Sequence, residues 1–185
     1  MIADVSGKGV PAALLMSAFR ASLVSQDLSS GDPALLAARL NDFVVHSVES
    51  GKFITAFLAF VDAASGRVSY VNAGHNPTVL MRRDGGHELL STGGFMFGII
   101  GGAVFERGEA TLDPGDLLVL YTDGVTEGMN AAREMWGEER LIESLAARAT
   151  ELRGSGAKHR RRRARLRGRP GTGRRHHVAT AARRT

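Results

Sequence analysis

The strongest constraint on the fold is a change of apolar period near residue 50. Before it, apolar side chains recur every three or four residues, as they do along one face of a helix. Leu15, Phe19 and Leu23 follow Pro11, which suits the first turn of a helix. Asp32-Pro33 then reads as an N-cap and first helical position, with a stripe of Leu36, Leu40, Phe43, Val44 and Val48 behind it and Gly51 as the stop. From residue 54 the pattern is that of strands. Residues 54–61 and 67–73 flank the turn-rich Asp62-Ala63-Ala64-Ser65-Gly66 as a hairpin. Residues 77–83 and 87–90 make another around Asp84-Gly85-Gly86, and 93–102 read as a glycine-rich apolar loop over the core. Residues 104–112 and 116–121 are expected to pair across Asp113-Pro114-Gly115. Leu141, Ile142, Leu145 and Ala149 mark a last amphipathic helix. Helices followed by antiparallel strand pairs predict an α+β fold, sheet packed on sheet with helices outside.

The net charge of +5 averages two unlike segments. Residues 151–185 hold 13 Lys/Arg and one acidic residue, a local charge of +12, whereas the preceding 150 hold 11 basic and 18 acidic residues, a charge of −7. The expected division is therefore a body, residues 1–150, and a basic, disordered tail, residues 151–185. With no cysteine in the chain, disulfides and thiolate metal sites are excluded, so any metal is held by oxygen or imidazole. No apolar run approaches the ~20 residues of a membrane helix, and Met1-Ile2-Ala3-Asp4 does not resemble a signal peptide. A cytoplasmic protein with no membrane partner is expected.

Two aspartates share a setting. Asp4 follows Met1-Ile2-Ala3 and precedes the turn Val5-Ser6-Gly7-Lys8-Gly9; Asp123 follows the apolar Leu117-Leu118-Val119-Leu120-Tyr121. A carboxylate at the rim of a sheet is half desolvated and needs a partner, and hard divalent cations suit carboxylate and carbonyl oxygens. The plainer alternative is that each aspartate caps a turn. His75 is expected to fix its own turn rather than bind metal. Gly7 and Gly9 lack the Walker spacing, so a nucleotide-cradling loop is not indicated.

Four segments, in order, carry a resemblance. Asp4-Val5-Ser6-Gly7-Lys8-Gly9-Val10-Pro11-Ala12-Ala13, Asn72-Ala73-Gly74-His75-Asn76-Pro77, Leu120-Tyr121-Thr122-Asp123-Gly124-Val125-Thr126-Glu127 and Trp136-Gly137-Glu138-Glu139-Arg140-Leu141 resemble the PPM-type (type 2C-like) protein serine/threonine phosphatases. The match is to their bacterial SpoIIE/RsbU-like branch and covers residues 1 to about 150. The resemblance implies a four-layer α/β/β/α sandwich with a two-ion Mn²⁺ or Mg²⁺ site at one end. Asp4 would bridge the ions, the Val5 carbonyl would bind one and Asp123 the other. Lys8, read from its place in the glycine turn, is a candidate for a substrate phosphate contact, the plainer alternative being a solvated lysine. A metal-bridging water would then attack phosphoserine or phosphothreonine on a regulatory protein of the anti-anti-sigma type.

The same resemblance makes this chain look truncated, because the family's upstream aspartate motif has no counterpart before Met1. The family's late Asp-Asp-Ile/Leu-Thr strand also has no direct counterpart; the equivalent stretch reads Gly173-Arg174-Arg175-His176-His177-Val178. Codons CGA CGA CAT CAC GTN for Arg-Arg-His-His-Val, read one base later, give Asp-Asp-Ile-Thr, so a shifted frame beginning near residues 150–158 is one account of the tail. On this reading the tail supplies no buried strand and metal binding is weak. Two alternatives stand beside the enzyme: a non-catalytic remnant that binds a phosphoprotein, and a nucleic-acid binder acting through Arg160-Arg161-Arg162-Arg163.

Overall fold

The computed structural model describes residues 1–47, 51–130, 133–154 and 178–182. The chain opens with strand β1 (Ile2–Val5), then helices α1 (Val10–Ser25) and α2 (Pro33–Ser47). Strands β2 (Ile54–Val61), β3 (Arg67–Ala73), β4 (Thr78–Met81), β5 (His87–Leu90), β6 (Gly93–Gly94), β7 (Gly108–Thr111) and β8 (Leu117–Tyr121) follow. Helices α3 (Asp123–Thr126) and α4 (Gly137–Gly154) and strand β9 (Val178–Ala182) complete the described elements.

Two sheets result. In the first, β1, β2 and β3 are antiparallel neighbours, and β6 and β7 share the far edge of β3. The second runs β5-β4-β8-β9, all antiparallel. Three apolar seams separate the layers. Phe19 of α1 and Leu36, Leu40 and Val44 of α2 pack on Ile54, Leu58 and Val71 of the first sheet. Ile2, Phe57, Val68, Leu80, Leu118 and Leu120 fill the space between the sheets. Val79, Met81, Val119 and Tyr121 turn to the other side and meet Leu141 and Ala149 of α4. Alternation along β4 and β8 thus divides each strand between two cores.

The local chemistry that marked α2 is present in the structure. Asp32 Oδ1 accepts from the Ala34 N–H at 2.9 Å, an N-cap bond, and Gly51 has φ 90°. Val48 of the expected stripe lies outside the described residues. The expected loop at 93–102 is partly strand, because β6 pairs with β3 in parallel. Only glycine permits this approach: a Cβ on Gly93 would lie 1.9 Å from the Asn72 carbonyl oxygen. Phe97 then inserts fully into the core, and buried Asn41 holds the loop through Gly98 N–H (3.0 Å) and the Ile100 carbonyl (2.9 Å).

Two expectations need correction. Residues 104–112 and 116–121 do not pair with each other, since β7 joins β3 in one sheet while β8 joins β4 in the other. The turn at 113–115 therefore carries the chain between sheets. Asp116 anchors it: its buried carboxylate accepts from Arg83 N–H (2.8 Å), Asp113 N–H (3.2 Å) and Arg82 (2.8 Å). The second correction concerns the tail, which does supply a strand. Residues 178–182 form β9 along the whole of β8, from Leu117 opposite Ala182 to Tyr121 opposite Val178. Ladder hydrogen bonds come from the backbone, so a segment of small and β-branched residues can fill an edge position without bulky apolar side chains. The run Arg160-Arg161-Arg162-Arg163 and residues 173–177 lie outside the described residues.

Candidate metal and phosphate site

Strand periodicity aims Asp4. Ile2 faces the seam between the sheets, so Asp4, two residues on, faces the same side at the rim. Asp4 lies within β1 rather than beyond its end, directly opposite Thr55 of β2. Asp123 comes from the other sheet, as the first residue of α3 just after β8. The two residues, one from each sheet, line one open cavity of about 760 Å³. Val5 at the end of β1 and Ser6, Gly7 and Lys8 of the β1–α1 turn line it, together with Gly74, Asn76 and Thr122. Sequence reasoning placed Asp4, Val5, Lys8 and Asp123 together, and the structure brings all four to this cavity.

The carboxylates differ in how they are held. Asp4 is exposed, and one oxygen accepts from the Val5 N–H at 3.0 Å. Asp123 is half-buried, and its carboxylate has no hydrogen-bond partner among the described residues; only its backbone carbonyl is engaged, by Thr126 Oγ1 and the Glu127 N–H. A half-buried carboxylate without donors is a group that a cation would stabilise. Val5 lines the same cavity, and its backbone carbonyl is the third candidate hard oxygen there. This donor set suits Mg²⁺ or Mn²⁺ in kind. Among the described residues, no cluster of three or more His, Cys, Asp or Glu side chains converges on one point.

The β1–α1 turn is fixed from the side. Ser6 N–H donates to the Phe53 carbonyl (2.9 Å) and Phe53 N–H donates to Ser6 Oγ (2.8 Å). Gly7 has φ 97°, a left-handed conformation that favours glycine. Ser6 Oγ is thus committed to holding the turn.

His75 sits beneath the cavity as a tie between the sheets. Its Nδ1 meets Thr55 Oγ1 at 3.0 Å and its Nε2 meets the Tyr121 carbonyl at 3.1 Å. A carbonyl only accepts, so Nε2 carries the proton and the Thr55 hydroxyl donates to Nδ1. Both ring nitrogens are occupied, in keeping with a turn-fixing role. The Asn72 side chain completes the clasp, accepting from the His75 N–H (2.7 Å) and donating to its carbonyl (3.0 Å). Burial pushes the imidazole below the usual histidine range, while the Tyr121 carbonyl and the charges of Asp4 and Asp123 pull it back. One ring therefore feels both carboxylates. Tyr121 contributes its carbonyl here and not its hydroxyl, which lies on the opposite face of the strand, is pushed up to about 12 by burial and the charge of Glu138, and stays neutral.

Sequence reasoning missed Lys52. A Cβ built on Gly7 would lie 3.1 Å from its Nζ, so this ammonium stands against the turn that lines the cavity. Its signal was available, since Lys8 and Lys52 are the only lysines among residues 1–150.

Comparison with known proteins identifies the family. Residues 1–172 match the family described as Stage II sporulation protein E (SpoIIE). The chain is 35% identical to the phosphoserine phosphatase RsbU of Bacillus subtilis over 127 residues, covering 68% of this chain and 38% of RsbU. It is 33% identical to Protein IcfG of Synechocystis sp. over 175 residues, covering 80% of this chain and 27% of IcfG. This chain therefore spans well under half the length of these curated relatives. The crystal structure of the RsbU and RsbW domains of Rv1364c from Mycobacterium tuberculosis superposes with a TM-score of 0.67 at 28% identity, covering 80% of this chain and 41% of that one.

Proposed function

The chain belongs to the SpoIIE family of PPM-type phosphatases, and from that premise we propose that its cavity hydrolyses phosphoserine or phosphothreonine on a regulatory protein of the anti-anti-sigma type. The observation that carries the proposal is the meeting of Asp4 and Asp123, from two different sheets, on one cavity. RsbU, a relative at 35% identity, is a phosphoserine phosphatase, which supports the same chemistry here.

In this reading Asp4, the Val5 carbonyl and Asp123 hold Mn²⁺ or Mg²⁺. Divalent ions bound there would supply Lewis acidity and a water of lowered pKa. The chain's own residues do the rest. Asp4 and Asp123 concentrate negative charge where cations gather, and the glycine turn keeps side chains out of that space. Lys8 offers a positive charge to the phosphoryl oxygens. His75 locks the Tyr121 carbonyl, and so the approach to Asp123, against Thr55. No side-chain nucleophile is required: the chain has no cysteine, and Ser6 Oγ is engaged by Phe53. Residues 1–150 form the catalytic body, and residues 151–185 a basic segment whose β9 lies beside β8. A shifted reading frame accounts for the arginine-rich composition of that segment.

Hydrolysis of p-nitrophenyl phosphate with and without Mn²⁺ tests the proposal. Turnover is expected to be slow, to require Mn²⁺, and to fall about 100-fold in Asp4→Asn and in Asp123→Asn. Metal-independent turnover, or turnover that both variants retain, would refute the assignment. A folded chain with no turnover would favour the non-catalytic reading, in which the cavity binds a phosphoprotein without cleaving it.

A further inference from the structure

Lys52 is a cation against the turn that lines the cavity, and the phosphatase reading does not use it. The Ser6–Phe53 hydrogen bonds clamp residue 53 beside the β1–α1 turn, and this places the preceding residue, Lys52, next to Gly7. Lys8 follows Gly7 on the cavity wall. Two lysines therefore stand at one glycine, Lys8 as its neighbour in the chain and Lys52 through its ammonium, and the third lysine of the chain, Lys158, belongs to the basic tail. Neither Lys8 nor Lys52 has an ion-pair partner among the described residues, where the salt bridges all involve arginine. In a body of charge −7, two unpaired lysines at one turn form a local reversal of sign at the mouth of an acidic cavity.

A single cation would suffice to meet a phosphoryl group. Lys8 lines the cavity that holds Asp4 and Asp123, whereas Lys52 stands on the outer side of the turn and lines a neighbouring groove with Pro11, Leu14, Leu15 and Ala18 of α1. Ser6 lines both hollows. A peptide whose phosphoserine enters the cavity would pass Lys52 with a residue beside the phosphorylated one. We propose that Lys52 is a specificity-determining residue that selects phosphoproteins carrying an acidic side chain next to the phosphoserine. The inference rests on the phosphatase reading for the location of the phosphoserine, and adds the chemistry of what flanks it.

The test measures binding in the absence of metal, so that it does not depend on turnover. Fluorescein-labelled phosphoserine decapeptides with either Asp or Asn on both sides of the phosphoserine are titrated with the full chain. Anisotropy is read in EDTA at low ionic strength, where exposed ion pairs are least screened. The wild-type chain is expected to bind the Asp-flanked peptide about threefold tighter, the size of one exposed ion pair. Lys52→Gln is expected to abolish that preference and Lys52→Arg to retain it, with unchanged melting temperatures in both. A wild-type chain that shows no preference or binds neither peptide overturns the proposal, as does a Lys52→Gln variant that keeps the preference. The two readings fail separately: a flank preference without Mn²⁺-dependent turnover removes hydrolysis and leaves the selective rim, and turnover without a flank preference does the reverse.

Discussion

Strand β8 has an aspartate just beyond each end, and the two are treated in opposite ways. Asp116, before Leu117, is buried at 3% exposure and accepts from two backbone N–H groups and Arg82, whose guanidinium also bonds Glu88 and the Thr111 carbonyl. Asp123, two residues after Tyr121, is half-buried and has no side-chain donor among the described residues. A carboxylate whose lone pairs are saturated by fixed donors is a structural joint, here the corner where the chain changes sheets. A carboxylate left open on a cavity that a second one, from another sheet, also lines is a group that a cation would stabilise. The same residue type on the same strand thus divides into architecture and chemistry according to the donors around it.

The largest expected effect follows from that division. Asp116→Ala strips a buried partner from Arg82 and two backbone donors, and is expected to cost about 3 kcal/mol of stability in urea unfolding. Asp123→Ala is expected to stay within about 0.5 kcal/mol of the wild-type chain. Similar costs at the two positions would break the comparison.

Why β7 and β8 were misread follows from the same corner. Asp113-Pro114-Gly115 has the residues of a hairpin turn, and local sequence reads it as one. What redirects the chain is Asp116 caught by Arg82 and Arg83, more than thirty residues away in sequence, which no local pattern reports. The α2 stripe and the β2–β3 hairpin were legible because their signals, a capping Asp32 and the turn at 62–66, are contained within a few residues. The site was legible to a similar degree. Asp4, Val5, Lys8 and Asp123 stand in recognisable motifs, but Lys52 comes to stand against Gly7 only through the Ser6–Phe53 clamp. The His75 bonds to Thr55 and Tyr121 likewise join segments that are remote along the chain. The tail was misjudged for a different reason: composition spoke against a buried strand, whereas an edge strand needs little more than a free backbone.

A smaller effect sharpens the comparison through His75. Its pKa in the folded chain is lowered below the unfolded value near 6.5, chiefly by burial. The stability this imidazole contributes is therefore complete above pH 6.5, and is lost as pH falls from there toward the lowered folded value, by at most about 1.4 kcal/mol per pH unit. That slope is expected to vanish in His75→Gln. Because the charge of Asp123 opposes the lowering, Asp123→Asn is expected to move the His75 titration, followed by NMR in metal-free buffer, to still lower pH. An unshifted titration would separate His75 from Asp123.

Whether Asp4 and Asp123 act as one cation site is read directly by a Mn²⁺ titration followed by electron paramagnetic resonance. The wild-type chain is expected to bind Mn²⁺ saturably but weakly, with a Kd on the order of millimolar for a site with only two carboxylates. Asp4→Asn and Asp123→Asn are each expected to abolish the bound signal while the chain stays folded. Mn²⁺ binding that survives either substitution unchanged would contradict the shared site.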